Sequence, residues 1–493
     1  MTLLDYPLFL LMPFHLINRF WLTIIFLFSF ECFSLAQNDV WTLQNAIQYA
    51  REHNLSIQQN DLNKRLAELT LLQSKLSQIP NVNAYTGYGR SFGRSIDPTS
   101  NSFANSSYDY LTISGSADVL LFGWFQKRNT IAKNSFSLQA AKVDLEQLQN
   151  DVSLNVATGF LRALLAKEQI KISQKQVDLS KAQLHQTVEF VKAGRLPELN
   201  AAQLESQLAN DSTNLINSLS VYNSSMLDIK ALLNLDFATP FNIQEPQVNL
   251  QDQINLASLN PEIIYSETSK HFAAVRSSEL RIEAARKGLS AAKGNMLPSL
   301  SVTAQFGSNY ATSYSQVTGY KLGNPVATEA FVKVDSTEYL VYQPSYTALT
   351  KKIPFNNQIS NNFRQTLTFG VNFPLFNGWQ ANNFRKQSEL NLQISELNRD
   401  QTALKLKQDV YKAYNEATNA FQKYQSAQRA VDAARRAYDF AQKRYELGLT
   451  NTVEYLTTQN NQFISESNLL SAKYDLIFKL KVIDYYLGKE LKL

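Results

Sequence analysis

The chain has 493 residues, of which 44% are hydrophobic, and a formal net charge of +5 at pH 7. This apolar content is enough for packed helices, while a mean hydropathy of −0.26 is typical of a body that faces water. The small positive balance contains no run of basic residues, so nucleic acid is excluded as an expected partner.

The first 36 residues are typical of an export signal peptide. Arg19 precedes an apolar run from Phe20 to Phe30, and a small-residue cleavage site ends at Ala36. Cleavage there would also remove Cys32, the only cysteine. Lipid attachment at Cys32 is the alternative, although Glu31 occupies a position where a lipoprotein signal prefers a small residue. No later segment approaches the roughly 18–20 apolar residues of a membrane helix.

After the signal, the same order of elements is predicted twice, in residues 37–261 and again in residues 262–493. The first repeat contains, in chain order, a helix at 43–78, strands at about 81–90 and 109–121, a long helix at 124–193, a helix at 198–233 and an equatorial segment at 235–261. The second contains a helix at 262–296, strands at about 299–310 and 364–374, a long helix at 379–447 and a helix at 452–487.

Two constant offsets in residue number indicate that the repeats arose by duplication. An offset of 254 takes Gly194 to Gly448, and an offset of 218 takes His53 to His271. The offsets differ by 36 residues, which we assign to an insertion in the second repeat. The insertion falls in a polar, turn-rich loop at 309–363, between two predicted strands. Long loops lie on the outer side of membrane barrels.

The four strands are predicted from alternation between apolar and polar positions. In Tyr110–Leu120 and Thr366–Phe373 the apolar positions alternate with Ser, Thr and Asn, as a wet lumen would require. A half-buried sheet of a soluble protein alternates in the same way and is the alternative. Aromatic residues at both strand-to-helix junctions favour a membrane–water interface. These residues are Phe122, Trp124, Phe376 and Trp379.

Four strands are too few to close a barrel, because about eight are needed even for a barrel filled by side chains. The strand edges must therefore be paired by other copies of the chain. A dimer supplies eight strands and no pore, whereas a trimer supplies twelve and an open pore. The predicted fold is an α+β membrane protein with four transmembrane strands per protomer and long paired helices, and a pore favours three or more copies.

The helix lengths support this architecture. Each long helix has about 70 residues, or ~105 Å at 1.5 Å per residue, and two half-length helices placed end to end match one long helix. Apolar residues with coiled-coil spacing, such as Val431, Ala434 and Tyr438, form a narrow stripe that faces a partner helix. A hollow wall of paired helices is expected. The alternative is a solid bundle, which would need wider apolar stripes.

Glycines mark the two reversals between paired helices. Gly194 and Gly448 suit the left-handed backbone conformation that ends a helix. After the second glycine, Asn451 and Glu454 resemble a capping box at the start of the next helix.

The whole pattern resembles the TolC family of outer-membrane efflux proteins, over nearly all of the chain after the signal. No single motif is specific, but their order and spacing together are. The residues that carry the resemblance are Leu43-Gln44-Asn45-Ala46-Ile47, Pro80, Leu121-Phe122-Gly123, Gly194, Asn260-Pro261-Glu262-Ile263, Pro298, Pro374-Leu375-Phe376-Asn377-Gly378 and Gly448-Leu449.

The resemblance implies a homotrimer in the outer membrane of a Gram-negative bacterium. Four strands from each protomer would form a 12-stranded β-barrel, which continues into an α-helical coiled-coil barrel as a tunnel in the periplasm. It implies a passive, gated conduit that exports drugs and other toxic small molecules. A periplasmic adaptor protein would connect it to an RND or ABC transporter of the inner membrane. The expected contacts for the adaptor are Gly194, Leu196, Gly448, Leu449 and Thr450.

Members of this family close the tunnel with acidic rings and polar links between helices. Glu454 matches one of the expected acids, whereas Thr457 stands where a second acid is expected. Thr450 and Asn200 replace a basic residue and its acidic partner, so the charged latch of some relatives is not expected here. Tyr445 keeps the aromatic residue before the turn. Glu454 is expected either to form a ring that favours cations or only to cap its helix.

No cofactor, metal site or enzymatic activity is expected. The histidines after the signal lack ligand-like spacing, and the glycines near residue 90 do not form a nucleotide-binding fingerprint. Type I protein secretion and metal-ion efflux are alternative functions within the channel hypothesis. An exported structural coiled-coil protein is a more distant alternative, since it would not need four alternating strands.

Overall fold

The computed structural model describes residues 40–96, 103–105, 107–245, 260–489 and 491. The predicted signal peptide with Cys32, residues 97–102 and 106, and part of the predicted equatorial segment at 235–261 lie outside the described residues. Among the described helices none is long and apolar enough to cross a membrane.

The described chain is a mixture of long helices and short antiparallel strands, numbered here in chain order. The helices are α1 Leu43–His53, α2 Leu55–Leu76, α3 Gln126–Lys192, α4 Glu198–Leu233, α5 Pro261–His271, α6 Ala273–Gly294, α7 Phe355–Asn361, α8 Gln380–Glu446 and α9 Thr452–Tyr486. The strands are β1 Val40–Trp41, β2 Asn81–Ser91, β3 Arg94–Ile96, β4 Phe103–Asn105, β5 Tyr108–Phe122, β6 Asn242–Ile243, β7 Ser299–Ala311, β8 Ser315–Leu322, β9 Val326–Val334, β10 Thr337–Gln343, β11 Tyr346–Lys352 and β12 Arg364–Asn372.

The chain folds into two compact units. One contains the chain up to Asp61, Leu145–Phe272 and Leu404–Leu493, and the other contains Leu62–Asp144 and Ala273–Ala403. The first unit is helical apart from a short parallel pairing of β1 with β6. The largest fully buried side chains of its core are Phe160, Leu164, Leu204, Ile229, Leu233, Ile264, Leu476 and Ile477. The second unit contains the other strands.

Helices of matching length recur in the two halves of the chain. Both α1 and α5 have 11 residues, and both α2 and α6 have 22. The long helices α3 and α8 have 67 residues each, and they are followed by helices of 36 and 35 residues.

Two helices predicted as continuous are interrupted. The segment predicted at 43–78 breaks at Asn54, where ψ is 129°. The Asn54 side chain accepts a hydrogen bond from Ser56 N–H (3.0 Å) and donates one to the Leu232 carbonyl (2.8 Å). The segment predicted at 262–296 breaks at Phe272, whose ring packs against Tyr485 and Tyr486. The break therefore depends on tertiary contacts as well as on local sequence.

The four alternating segments form one antiparallel sheet in the order β12-β7-β5-β2. The register brings the apolar positions of all four strands to one face and most polar positions to the other. The apolar face carries Val82, Ala84, Tyr88, Leu111, Ile113, Gly115, Ala117, Val119, Leu300, Val302, Ala304, Phe306, Leu367, Phe369 and Val371. The polar face carries Asn81, Asn83, Thr112, Ser114, Ser116, Asp118, Ser301, Thr303, Gln305, Thr366 and Thr368.

The segment predicted as a polar loop at 309–363 contains ordered strands, and the prediction was wrong here. β8 pairs with β11, and β9 pairs with β10, so that residues 315–352 form one two-stranded ribbon. At its tip Asp335 and Ser336 have φ of 50° and 78°, as a two-residue hairpin turn requires. Turn residues such as Gly323 and Pro325 predicted an irregular loop. In the structure they only separate the β8–β11 pair from the β9–β10 pair.

The strand-to-helix junctions adopt an uncommon backbone conformation. Trp124, Phe125 and Trp379 have φ of 49°, 60° and 62°, which non-glycine residues rarely adopt. The ring of Phe122 packs against Trp124 at a centroid distance of 5.4 Å. The predicted interface aromatics at these junctions are 42–78% exposed, so their rings are available to surroundings outside the protomer.

Candidate functional site

The two predicted glycine turns connect α3 to α4 and α8 to α9. Gly194 and Gly448 both have φ of 72°, and a side chain at either position would meet no neighbouring atom within 4 Å. The backbone conformation is therefore what favours glycine. After each glycine, the next N–H bonds back to the carbonyl five residues earlier, from Arg195 to Phe190 (2.9 Å) and from Leu449 to Arg444 (2.8 Å). This is the Schellman pattern that satisfies the last carbonyls of a helix.

Exposed apolar residues surround both turns. Leu449, one of the predicted contact residues, is 63% exposed, and Leu447 is 72% exposed. Leu199 and Val453 occupy equivalent positions in the two helices that follow the turns, and they are 64% and 57% exposed. Sequence analysis missed Leu199, Leu447 and Val453 because single apolar residues near a helix end have no periodicity that distinguishes them from a core stripe.

The second turn contains a compact network of charge and hydrogen bonds. The Asn451 side chain accepts a hydrogen bond from Glu454 N–H (2.8 Å), so Asn451 caps α9. The Glu454 carboxylate accepts hydrogen bonds from Arg444 (3.2 Å) and from the Thr450 hydroxyl (2.5 Å). Arg444 also donates to the Leu449 carbonyl. The Glu454 carboxylate therefore interacts with Arg444 and Thr450. The backbone N–H of Glu454 is the group that binds the Asn451 cap.

The first turn is organised differently. Arg195 stacks over the Phe190 ring, with its guanidinium carbon 4.7 Å from the ring centroid. Pro197 stands at the cap position of α4 without a side-chain hydrogen bond, and Asn200 N–H bonds to the Pro197 carbonyl (3.1 Å). The two turns therefore share their backbone geometry and differ in their charged groups.

A cluster of three tyrosines lies close to the second turn. The Tyr445 and Tyr455 rings stack with centroids 4.6 Å apart and an interplanar angle of 8°. Tyr438 stacks against Tyr455 at 5.8 Å, and the hydroxyl groups of these two residues are 3.1 Å apart. Tyr438 and Tyr455 are 7% and 3% exposed. Burial raises the pKa of both phenols above its ordinary value, so both hydroxyl groups stay protonated.

Gln183 of α3 connects the first helix pair to this cluster. Its side-chain amide donates hydrogen bonds to the hydroxyls of Tyr455 and Tyr438, the latter at 3.4 Å. Leu179, one turn earlier on α3, packs against the same rings. Gln183, Tyr438 and Tyr455 therefore form a neutral link between the two helix pairs, which we call the tyrosine–glutamine link. Sequence analysis placed Tyr438 in a coiled-coil seam but found neither Gln183 nor Tyr455.

The first helix pair is held together by buried polar groups. Asp211 of α4 is 3% exposed and accepts hydrogen bonds from Ser180 (2.5 Å), Gln207 (3.0 Å) and Gln176 (3.3 Å). Buried polar contacts of this kind can specify the register of paired helices. The offset of 254 residues leads from Ser180 to Ala434, so this seam is not repeated in the second pair.

The structure separates the predicted aperture residues into distinct groups. Glu454 and Thr457 lie on the exposed surface of α9, and Thr457 donates a hydrogen bond to the Val453 carbonyl. Tyr445 belongs to the tyrosine cluster, and Asn200 lies near the first turn. Within a protomer the residues predicted as one aperture therefore belong to three local environments: the surface of α9, the tyrosine cluster and the first turn.

Gln459 lies one helical turn after Tyr455 and is 2% exposed. In the described part of the chain, neither its side-chain nitrogen nor its side-chain oxygen has a hydrogen-bond partner. A buried polar group without a partner costs about 1–3 kcal/mol. We therefore expect Gln459→Met to raise the free energy of unfolding by about 1–2 kcal/mol, measured by denaturant titration in detergent.

Gln462→Met is the matched control, because Gln462 lies on the same helix and donates a hydrogen bond to Glu466 (3.3 Å). We expect this control to leave the protein unchanged or slightly less stable. An equal or lower unfolding free energy for Gln459→Met would contradict the assignment of a net cost to the buried amide.

Residues 264–488 match the family model described as outer membrane efflux protein. No curated protein matches the chain. The matched range begins within α5 and contains most of the second half of the chain, including Gly448, Glu454 and the tyrosine cluster.

Several solved structures share the fold. A membrane protein from Pseudomonas aeruginosa has a TM-score of 0.72 at 14% identity, and the match covers 91% of this chain and 90% of that one. The outer membrane protein VceC from Vibrio cholerae has a TM-score of 0.71 at 13% identity, covering 91% and 97%. The open state of the Neisseria gonorrhoeae MtrE outer membrane channel has a TM-score of 0.69 at 15% identity, covering 91% and 89%. At these identities the likeness concerns the fold.

Proposed function

We propose that the chain is the outer-membrane channel of a tripartite efflux pump, since residues 264–488 match the family model described as outer membrane efflux protein. The observation that carries this proposal is the four-stranded sheet, whose register separates an apolar face from a polar face in every strand. A sheet with one lipid-facing side and one water-facing side is the unit from which a membrane barrel is built.

The two edges of this sheet supply the argument for a trimer. β2 and β12 are its outermost strands, and unpaired backbone groups cannot remain at an edge inside a bilayer. Pairing of β2 in one copy with β12 in the next would satisfy both edges. Three copies would close a 12-stranded barrel with a polar lumen. The matching helix lengths in the two halves support an internal duplication, which gives each trimer six similar helical segments around the pore.

The helix turns are the proposed docking sites for a periplasmic adaptor. The predicted contacts are Gly194, Leu196, Gly448, Leu449 and Thr450. The exposed side chains of Leu199 and Val453 extend this surface beyond both turns, and they provide the apolar area that a protein interface needs. An inner-membrane transporter would be coupled to the channel through this adaptor. The channel itself would be passive and would export small toxic molecules.

The two helix turns together are the proposed periplasmic aperture, with Glu454, Thr457 and Tyr445 at the second turn and Asn200 at the first. The Arg444 guanidinium lies 3.2 Å from the Glu454 carboxylate and offsets its charge. Both side chains are about half exposed, so their ion pair contributes little to stability. A change in either one is therefore suited to testing ion selectivity without unfolding the protein.

We expect Glu454→Gln to lower the preference of the channel for cations, and Arg444→Gln to raise it. Removing the carboxylate takes negative charge from the aperture, whereas removing the guanidinium leaves that charge uncompensated. Reversal potentials in asymmetric KCl across planar bilayers measure both effects. If neither substitution changes the reversal potential, Glu454 has no role in selectivity and acts only at the start of α9.

The proposal as a whole is tested by expressing the full chain in a Gram-negative host. Heat-resistant trimers in the outer-membrane fraction, with ion conductance in planar bilayers, are the expected result. A soluble monomer would overturn the proposal. Deletion of the gene, followed by a comparison of sensitivity to drugs, dyes, bile salts and metal ions, would then identify the exported class of molecule.

A further inference from the structure

The ribbon formed by residues 315–352 exposes more apolar surface than a two-stranded structure can bury. An isolated ribbon of two strands is only marginally stable in water, and contiguous apolar surface indicates an interaction site. The large apolar side chains of the ribbon are 44–68% exposed. They are Val317, Tyr320, Leu322, Val326, Phe331, Val332, Val334, Tyr339, Leu340, Tyr342, Tyr346 and Leu349.

The two faces of the ribbon differ in charge near its tip. Val332 pairs with Tyr339, and Val334 pairs with Thr337, so that these four uncharged side chains share one face. The intervening pair consists of Lys333 and Glu338, whose charged groups are 4.0 Å apart. This pair lies on the opposite face because successive side chains of a strand point to opposite sides.

The half of the ribbon nearer the sheet repeats this separation. Tyr320 and Leu322 pair with Ala348 and Tyr346 and form an uncharged aromatic face. Lys321, which lies between them along β8, is on the opposite face. Near the tip the face with Lys333 and Glu338 also carries the paired residues Phe331 and Leu340. The two faces therefore differ in charge, and only the uncharged face can pack against another apolar surface without burying an ion pair.

The base of the ribbon is firmly attached to the sheet. Gln358 of α7 is 2% exposed and accepts a hydrogen bond from Ala311 N–H (2.9 Å). It also donates hydrogen bonds to the carbonyls of Ala311 (3.1 Å) and Ile353 (2.8 Å). Ser308 donates to the Ile359 carbonyl (2.7 Å). The ribbon therefore leaves the end of β7 in a defined direction instead of moving as a loose loop.

The attachment also brings the ribbon next to a sheet edge. After α7 the chain continues directly into β12, the edge strand that would pair with a neighbouring copy. The apolar alternation of β7 ends near Tyr310, and the ribbon begins beyond it at Ser315. The ribbon thus extends past the part of the sheet that a bilayer would cover, which favours a protein partner over lipid. Its outgoing arm, residues 315–334, can span about 60 Å at ~3.3 Å per residue.

We propose that the uncharged face of the ribbon packs against the ribbon of a second copy of this chain, forming a collar beyond the barrel. This inference rests on the trimer proposed above. In a three-fold ring each copy carries its ribbon beside its own β12 edge, so the three uncharged faces can turn towards the common axis and meet there. The face with Lys333 and Glu338 then remains in water. The collar adds contacts between protomers outside the membrane, in the insertion that distinguishes the second half of the chain from the first.

Site-specific photocrosslinking of the full-length protein tests the collar. The photoreactive amino acid p-benzoylphenylalanine is introduced in place of Tyr339 on the uncharged face, or in place of Leu340 on the charged face. The two positions are adjacent and similarly exposed, at 59% and 56%. After irradiation of the protein purified in detergent, we expect several-fold more covalent dimer and trimer from the Tyr339 position than from the Leu340 position.

Light scattering after size-exclusion chromatography reports the oligomeric state of both variants. A trimer that yields covalent dimers mainly from position 339 supports the collar. An intact trimer without covalent dimers, or with equal amounts from both positions, overturns the collar and leaves the proposed channel standing. An adduct with lipid in native membranes, without protein crosslinks, also overturns it. A monomer overturns both the collar and the trimer.

Discussion

Replacing Ala304 with arginine is expected to abolish the heat-resistant trimer in outer-membrane fractions. Ala304 lies near the middle of the apolar face, paired with Ala117 on one side and with Leu367 on the other. An arginine on the lipid face of a membrane barrel costs about 2–4 kcal/mol near the bilayer midplane. Because all three protomers of a trimer carry the substitution, the free energy of assembly becomes less favourable by several times that amount.

Gln305→Arg is the matched control, because Gln305 is the next residue of β7 and lies on the polar face, opposite Thr366. We expect this variant to assemble as the unsubstituted protein does, since its guanidinium would face the wet lumen. Semi-native electrophoresis of outer-membrane fractions with and without heating compares the two variants. Equal trimer yields from Ala304→Arg and Gln305→Arg would refute the assignment of the two faces.

Replacing Gln183 with leucine is expected to increase the single-channel conductance of the purified protein. The substitution removes the hydrogen bonds from α3 to the hydroxyls of Tyr438 and Tyr455 while keeping a side chain of similar length. The tyrosine–glutamine link would then no longer hold the two helix pairs together near the second turn. Loss of this constraint should favour a wider aperture.

Gln174→Leu is the control for this substitution. Gln174 lies on the same helix, is exposed, and donates its hydrogen bond to Asp178 within that helix. We expect it to leave conductance unchanged. A conductance increase of equal size in both variants would show that the effect does not come from the link.

The same link should be insensitive to pH. Burial raises the pKa of Tyr438 and Tyr455, so both phenols are neutral in the folded and the unfolded protein below their ordinary pKa of about 10. Titration of these groups therefore contributes no change in stability between about pH 5 and 9. A conductance difference between Gln183→Leu and the unsubstituted channel that persists over this range is expected.

Local sequence patterns were enough to locate the strands of the sheet and the two glycine turns. Strict alternation in segments such as Thr366–Phe373 is a strong signal because successive side chains of a strand point to opposite faces. Gly194 and Gly448 were identifiable because a left-handed backbone at a helix end strongly favours glycine. Both signals involve only neighbouring residues.

The strands of the ribbon and the helix breaks were both missed by the sequence analysis, for different reasons. Residues 315–352 form strands by pairing with each other, and their turn residues masked that pairing. The helix ends at His271 because Phe272 packs against Tyr485 and Tyr486, which are more than 200 positions away in the chain. Contacts between distant residues leave no local pattern.

The sequence by itself determined the four strands of the sheet, the long helices and the points where the helix pairs reverse, and it predicted that the two halves of the chain correspond. These properties follow from side-chain periodicity and backbone preference, which act over a few residues. Only the tertiary structure decided the strand order, the engagement of Glu454 by Arg444, and the link from Gln183 to Tyr455. Each of these depends on the packing of distant segments, since hydrogen bonds between side chains require distances that local sequence does not specify.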